Sequence, residues 1–98
     1  MHDALEHIPD EALLTTVRRL TAHSNVALAD LLAHLGEVER RGIHRERACA
    51  SLYTYCVYEL RMSEDAAFRR SKAARIVRRY PEVREAIAKG EIHLTGLS

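Results

Sequence analysis

Residues 28–38 constrain this chain more than any other stretch. Leu28, Leu31, Leu32, Leu35 and Val38 recur at i, i+3, i+4, i+7 and i+10, a spacing that gathers side chains on one face of an α-helix. Asp30, His34, Glu37 and Arg41 take the other side. Ser24 or Asn25 is placed to cap this helix by accepting a backbone N–H. Arg40, Arg41 and Gly42 make its stop, with cations near the negative end of the dipole and then a glycine able to take positive φ. Gly36 either weakens the helix by roughly 1 kcal/mol relative to Ala or lets another helix approach closely.

Four Gly and two Pro are few, while Ala, Leu, Arg and Glu are plentiful, which points to helix rather than sheet. A chain of 98 residues has room for one core, so residues 1–98 read as one helical domain. Residues 1–8 read as a frayed lead-in. Pro9 and Asp10 start a helix in which Leu13, Leu14, Val17 and Leu20 form an apolar stripe, and it is expected to end near Ala22. From Ile43 to Ala50 the chain crosses over. Ser51 is placed to cap a short helix with Leu52, Tyr55, Cys56 and Leu60 inward. Tyr53, Tyr55 and Tyr58 are expected to pack in or at the edge of the core, a base-stacking platform being the alternative.

Arg61 and Met62 form a turn, and Ser63 caps a longer helix whose first turn carries Glu64 and Asp65. On that helix Ala66, Ala73, Val77 and Tyr80 share one face, and Phe68, Lys72, Arg75 and Arg79 the opposite one. Alanines at 66, 73 and 74 permit close helix contact. Phe68 interrupts the polar face and is expected to pack under a neighbouring helix, the other reading being an exposed anchor for a partner. Pro81 ends this helix and starts another, with Val83, Ala86 and Ile87 inward and Gly90 as its stop. Thr95 would cap a further helix, but the sequence ends three residues later. The expectation is a piece of a longer protein, or a relative of part of one. The resulting fold class is all-α: a compact bundle of about five helices, with a helix-turn-helix over residues 51–80.

The net charge of +1 hides a split: residues 1–60 hold six Lys/Arg against nine Asp/Glu, and residues 61–98 hold nine against five. Between positions 69 and 79 lie Arg69, Arg70, Lys72, Arg75, Arg78 and Arg79, with no acid among them. A polyanion would be met by this part of the chain. Arginine can hold phosphate oxygens or guanine O6 and N7, and Ser71 could add a phosphate hydrogen bond. Arg69, Arg70, Ser71, Lys72, Arg75, Arg78 and Arg79 are therefore the candidate nucleic-acid-binding residues, with double-stranded DNA the expected partner.

Cys49 and Cys56 lie outside any CxxC spacing and read as free buried thiols of a cytoplasmic protein. The six histidines fall in no ligand frame, so no metal or cofactor is expected. No apolar run approaches the ~20 residues of a membrane span. No motif joins a nucleophile to a base, and there is no Gly-rich phosphate loop, so no catalytic residue is expected and the chain does not read as an enzyme.

Two resemblances rest on particular residues. HLGEVERRG (34–42), SLYTYCVYEL (51–60), SEDAAFRR (63–70) and GEIHLT (90–95) make residues 31–98 resemble the region preceding the catalytic domain in bacterial HNH endonuclease-type proteins abundant in myxobacteria. The nuclease motif of that family has no counterpart in this sequence, so the resemblance implies a non-catalytic module. Residues 52–92 also resemble the helix-turn-helix segment of ParB-type partition proteins, which implies that residues 64–79 form a recognition helix. Here Arg61 and Met62 replace the glycine common in such turns, and Glu64 and Asp65 sit where base-reading residues often lie. Acids at that place can accept from cytosine N4 but repel phosphates. The competing reading is a protein interaction domain, in which the acidic and basic halves and the alanine face support a homodimer or docking on another subunit.

Overall fold

One helix sets the length of the molecule. A computed structural model of the chain describes residues 5–97, and in it α1 runs without a break from Asp10–Arg41, 32 residues. At 1.5 Å per residue that is about 48 Å, and the longest dimension of the molecule is 49 Å. The two helices expected on either side of Ser24 and Asn25 are thus one. Between Asp10 and Leu35 there is no Gly or Pro to interrupt it, and a Ser or Asn inside a helix costs only about half a kcal/mol each. Neither residue caps anything. Of the expected lead-in, residues 1–4 lie outside the described residues, and the Ile8 N–H donates to the Leu5 carbonyl at 3.2 Å.

The stop at the other end follows the sequence closely. Gly42 takes φ 71°, ψ 18°, and its N–H reaches the Glu39 and Val38 carbonyls. A four-residue helix, α2 (Ile43–Glu46), occupies the expected crossover and buries His44. Helix α3 (Leu52–Tyr58) begins at Ser51, whose Oγ accepts the Thr54 N–H at 3.0 Å. Helix α4 (Glu64–Arg79) begins at Ser63, whose Oγ accepts the Ala66 N–H at 3.2 Å. Pro81 opens α5 (Pro81–Ala88), and Gly90 follows it at φ 77°. A 3₁₀ turn (Leu94–Leu97) returns to α4. The described residues contain no strand, and the fold is all-α.

Between α3 and α4, Arg61 sits at φ 61°. A side chain in this left-handed region costs roughly 1–2 kcal/mol, and here it stands where a glycine would be free of that cost. The Met62 N–H nevertheless closes on the Cys56 carbonyl at 3.1 Å, and Met62 packs against the core.

The chain returns along α1 in the opposite direction. Arg75 Nε donates to Glu39 Oε2 at 2.9 Å, and Arg84 Nη2 to Asp30 Oδ1 at 2.8 Å. At Gly36 an added Cβ would stand 3.1 Å from the Ala74 carbonyl oxygen and 3.3 Å from the Arg78 Cβ. At Gly90 it would stand 3.0 Å from Asn25 Nδ2. Rising numbers on α1 therefore match falling numbers on α4 and α5, and Gly36 marks where the α4 backbone comes closest.

The core gathers Ala29, Leu32 and Leu35 of α1, Leu52 and Cys56 of α3, Ala67, Ala73, Ala74 and Val77 of α4, and Ile87 of α5. Leu28, Leu31 and Val38 pack at its edge, as the 28–38 periodicity requires. The three small residues of α4 let α1 and α3 approach its backbone. Since α5 and its stop reach only as far as Asn25, residues 10–24 extend beyond the body as a helical arm. On that arm Leu13, Leu14, Val17 and Leu20 are exposed, so the first apolar stripe covers nothing among the described residues.

Candidate nucleic-acid interface

Helix α4 has two unlike sides. Ala67, Ser71, Ala73, Ala74 and Val77 are buried, which turns Phe68, Arg69, Lys72, Arg75 and Arg79 outward. Outward-facing cations from 69 to 79 span about 15 Å, a length over which one DNA strand presents about four phosphates. None of the ion pairs among the described residues uses Arg69, Lys72, Arg78 or Arg79.

The seven candidate residues do not behave alike. Arg69, Lys72 and Arg79 lie on the outer face and are exposed. Arg75 is exposed too, but its Nε–H is given to Glu39, whose side chain is only 18% exposed. Its charge is thus partly answered within the protein. Arg78 is exposed at the α1 side of the helix, beside Gly36. Arg70 is half-buried and close enough to Cys56 for its charge to act on that thiol. Burial raises the Cys56 pKa, and Arg70 opposes the rise. Ser71 leaves the set altogether. It is 3% exposed and its Oγ donates to the Phe68 carbonyl at 3.2 Å, so no hydroxyl is offered to a phosphate. A serine can sit in this core because it satisfies itself on its own helix.

Two aromatic residues stand where the sequence did not place them. Phe68 is 57% exposed rather than packed under a neighbour, and Tyr58 is 70% exposed while Tyr53 and Tyr55 pack at the core edge. Leu60, expected inward, is also exposed. With α3 ending at Tyr58, residues 59–63 form a longer connection than the expected turn, which carries Leu60 out of the helical register. The Lys72 ammonium lies 5.4 Å from the Phe68 ring centroid, and the Arg79 guanidinium 5.8 Å from that of Tyr80. Rings under cations limit the side-chain freedom lost on binding a ligand, and they offer faces on which bases stack.

The C-terminal turn of α1 adds charge beside the middle of α4. Glu37 is held by two arginines: Arg40 Nε and Nη2 at 3.0 and 2.7 Å, and Arg41 Nε at 2.7 Å. Hydrogen bonds from Arg40 and then Arg41 lower the Glu37 pKa to about 2. The group carries a net positive charge. At the other end of the α4 face, Glu64 and Asp65 keep the first turn acidic.

Compared with known protein families, with curated proteins and with solved structures, the chain finds no match. Among the described residues no three His, Cys, Asp or Glu side chains come together as metal ligands, and no helix is long and apolar enough to cross a membrane. His44, which the sequence did not single out, is 2% exposed with Nδ1 lacking a hydrogen-bond partner among the described residues. No sequence signal marks it, since a lone histidine in a crossover has no periodicity to betray its burial.

Proposed function

We propose that this chain is a non-catalytic nucleic-acid-binding module, with α3 and α4 acting as a helix-turn-helix and α4 laid against double-stranded DNA. One observation carries the reading: Arg69, Lys72 and Arg79 share the outer face of one helix, outside the ion pairs among the described residues, two of them over aromatic rings. Arg75 and Arg78 flank them. The resemblance of residues 31–98 to the region before an HNH nuclease domain, and of residues 52–92 to a ParB-type segment, agrees with it. Arg70 and Ser71 have no part in contact with DNA on this reading. Glu64 and Asp65 at the start of α4 disfavour close phosphate contact there, so affinity comes from the cations further along the helix more than from base reading.

The test is fluorescence anisotropy of a labelled duplex titrated at low and moderate salt. Four phosphate contacts predict a log–log salt slope of roughly −3.6. Lys72→Glu with Arg79→Glu should reduce binding by at least about a hundredfold, from lost contacts and added repulsion, and leave the helical circular-dichroism signal unchanged. Arg75→Glu is the wrong probe, because it would set a second carboxylate against Glu39. Absence of binding at low salt would overturn the proposal.

A further inference from the structure

The arm of α1 is an amphipathic helix, and among the described residues nothing is packed on its apolar side. Leu13, Leu14, Val17 and Leu20 are 37, 47, 51 and 56% exposed. The buried half of α1 nucleates this arm, but among the described residues its own turns gain no stability from packing on the apolar side. At the end of the stripe Thr21 donates to the Val17 carbonyl at 2.8 Å, so this hydroxyl can lose its water without being stranded.

We propose that a second copy of this chain covers the stripe, the two arms pairing antiparallel about a two-fold axis near Thr15. The charges select this arrangement. Glu11 and Arg18 are seven residues apart, so they lie on the same flank of the helix. An antiparallel two-fold pair brings like flanks together in reverse order. When Leu13 of one copy layers on Val17 of the other, Glu11 falls opposite the Arg18–Arg19 step, twice per dimer. A parallel pair would set Asp10, which lies on the stripe itself, against its own copy, whereas the antiparallel register places it across from Leu20 at the outer end of the seam, where its exposed carboxylate keeps contact with water. Opposed helix dipoles favour the antiparallel pair as well.

The area fits a weak but specific dimer. The arm exposes on the order of 400 Å² of apolar side-chain surface, the size of the largest patch on a typical monomer, which is often functional. Two such faces with their charged flanks approach the roughly 1,000 Å² at which specific association begins. An interface this small makes the association weak, and its constant is set by the fit of the seam and its charge pairs more than by area. The inference stands apart from the nucleic-acid reading, because it uses a different face and a different helix end.

Sedimentation of the full chain over a concentration series tests it. The expected result is a monomer–dimer equilibrium at the weak end, on the order of micromolar or above. Val17→Glu should weaken it at least about tenfold, because it places a carboxylate in the seam. Glu11→Arg should weaken it several-fold, and adding Arg18→Glu should restore the original affinity. Thermal unfolding of each variant, followed at the body, checks that the fold is kept. A wild-type chain that stays monomeric to about 200 µM, or a Val17→Glu chain that dimerises unchanged, overturns the proposal and leaves the stripe to a different protein. A dimer that Arg18→Glu does not rescue overturns the antiparallel register.

Discussion

The two halves of α1 carry nearly the same pattern and meet opposite fates. Residues 13–20 and residues 28–38 both place leucine and valine at helical spacing, yet Leu32 and Leu35 are 0 and 3% exposed while Val17 and Leu20 are 51 and 56%. The difference lies in what the later chain supplies. Helices α4 and α5 run back along α1 only to Asn25, so the second half is covered and the first is not. Periodicity reports which side of a helix is apolar. Coverage depends on how much chain returns to it.

This contrast can be broken by substitution. Leu32→Ala should cost about 2–5 kcal/mol in urea unfolding, whereas Val17→Ala, measured at concentrations where the chain is monomeric, should cost no more than about 0.5 kcal/mol. Equal losses would mean that the arm folds onto the body in solution. A second pair turns on helix propensity. Gly36→Ala gains about 1 kcal/mol of propensity but drives a Cβ toward the Ala74 carbonyl of a neighbouring helix, so a net loss of about 1–2 kcal/mol is expected. Ser24→Ala, on the bare arm, should stabilise by about half a kcal/mol, read from the melting of the helical signal.

The smallest expected effect is acidic. Glu37 titrates at about 2 against an ordinary value of 4.5. Its contribution is fully present above that ordinary value and fades as the pH falls through about 2. Glu37 is well solvated, so the effect is best seen as a carboxyl chemical-shift titration, with Arg40→Ala moving the midpoint upward. Arg40→Ala leaving it in place would remove Arg40 as the main cause.

Much of the fold was legible because its punctuation is local. Ser51 and Ser63 cap as read, Gly42 and Gly90 stop as read, and Pro81 opens its helix. The continuity through Ser24 and Asn25 was not legible, because cap-forming residues are also tolerable helix residues when no breaker follows. For the candidate interface, the wheel of α4 correctly turned Lys72, Arg75 and Arg79 outward. It missed Ser71, which lies between Ala67 and Ala74 on the buried arc and hides its hydroxyl in its own helix. Phe68 was misjudged because hydrophobicity was read as a demand for burial, whereas its ring serves as a platform under Lys72. The left-handed Arg61 showed in the sequence only as a missing turn glycine, because its conformation is set by the packing of Met62 and the Cys56 carbonyl around it.

Cys56 is fully buried between α3 and α4, with its thiolate disfavoured by burial. A thiol reagent can reach it only when those two helices part. The labelling rate of Cys56 is therefore a clock for the opening of the α3–α4 pair, readable in the unmodified protein once the separate Cys49 signal is resolved. A ligand that clamps α3 against α4 should slow that clock, even if it contacts neither cysteine.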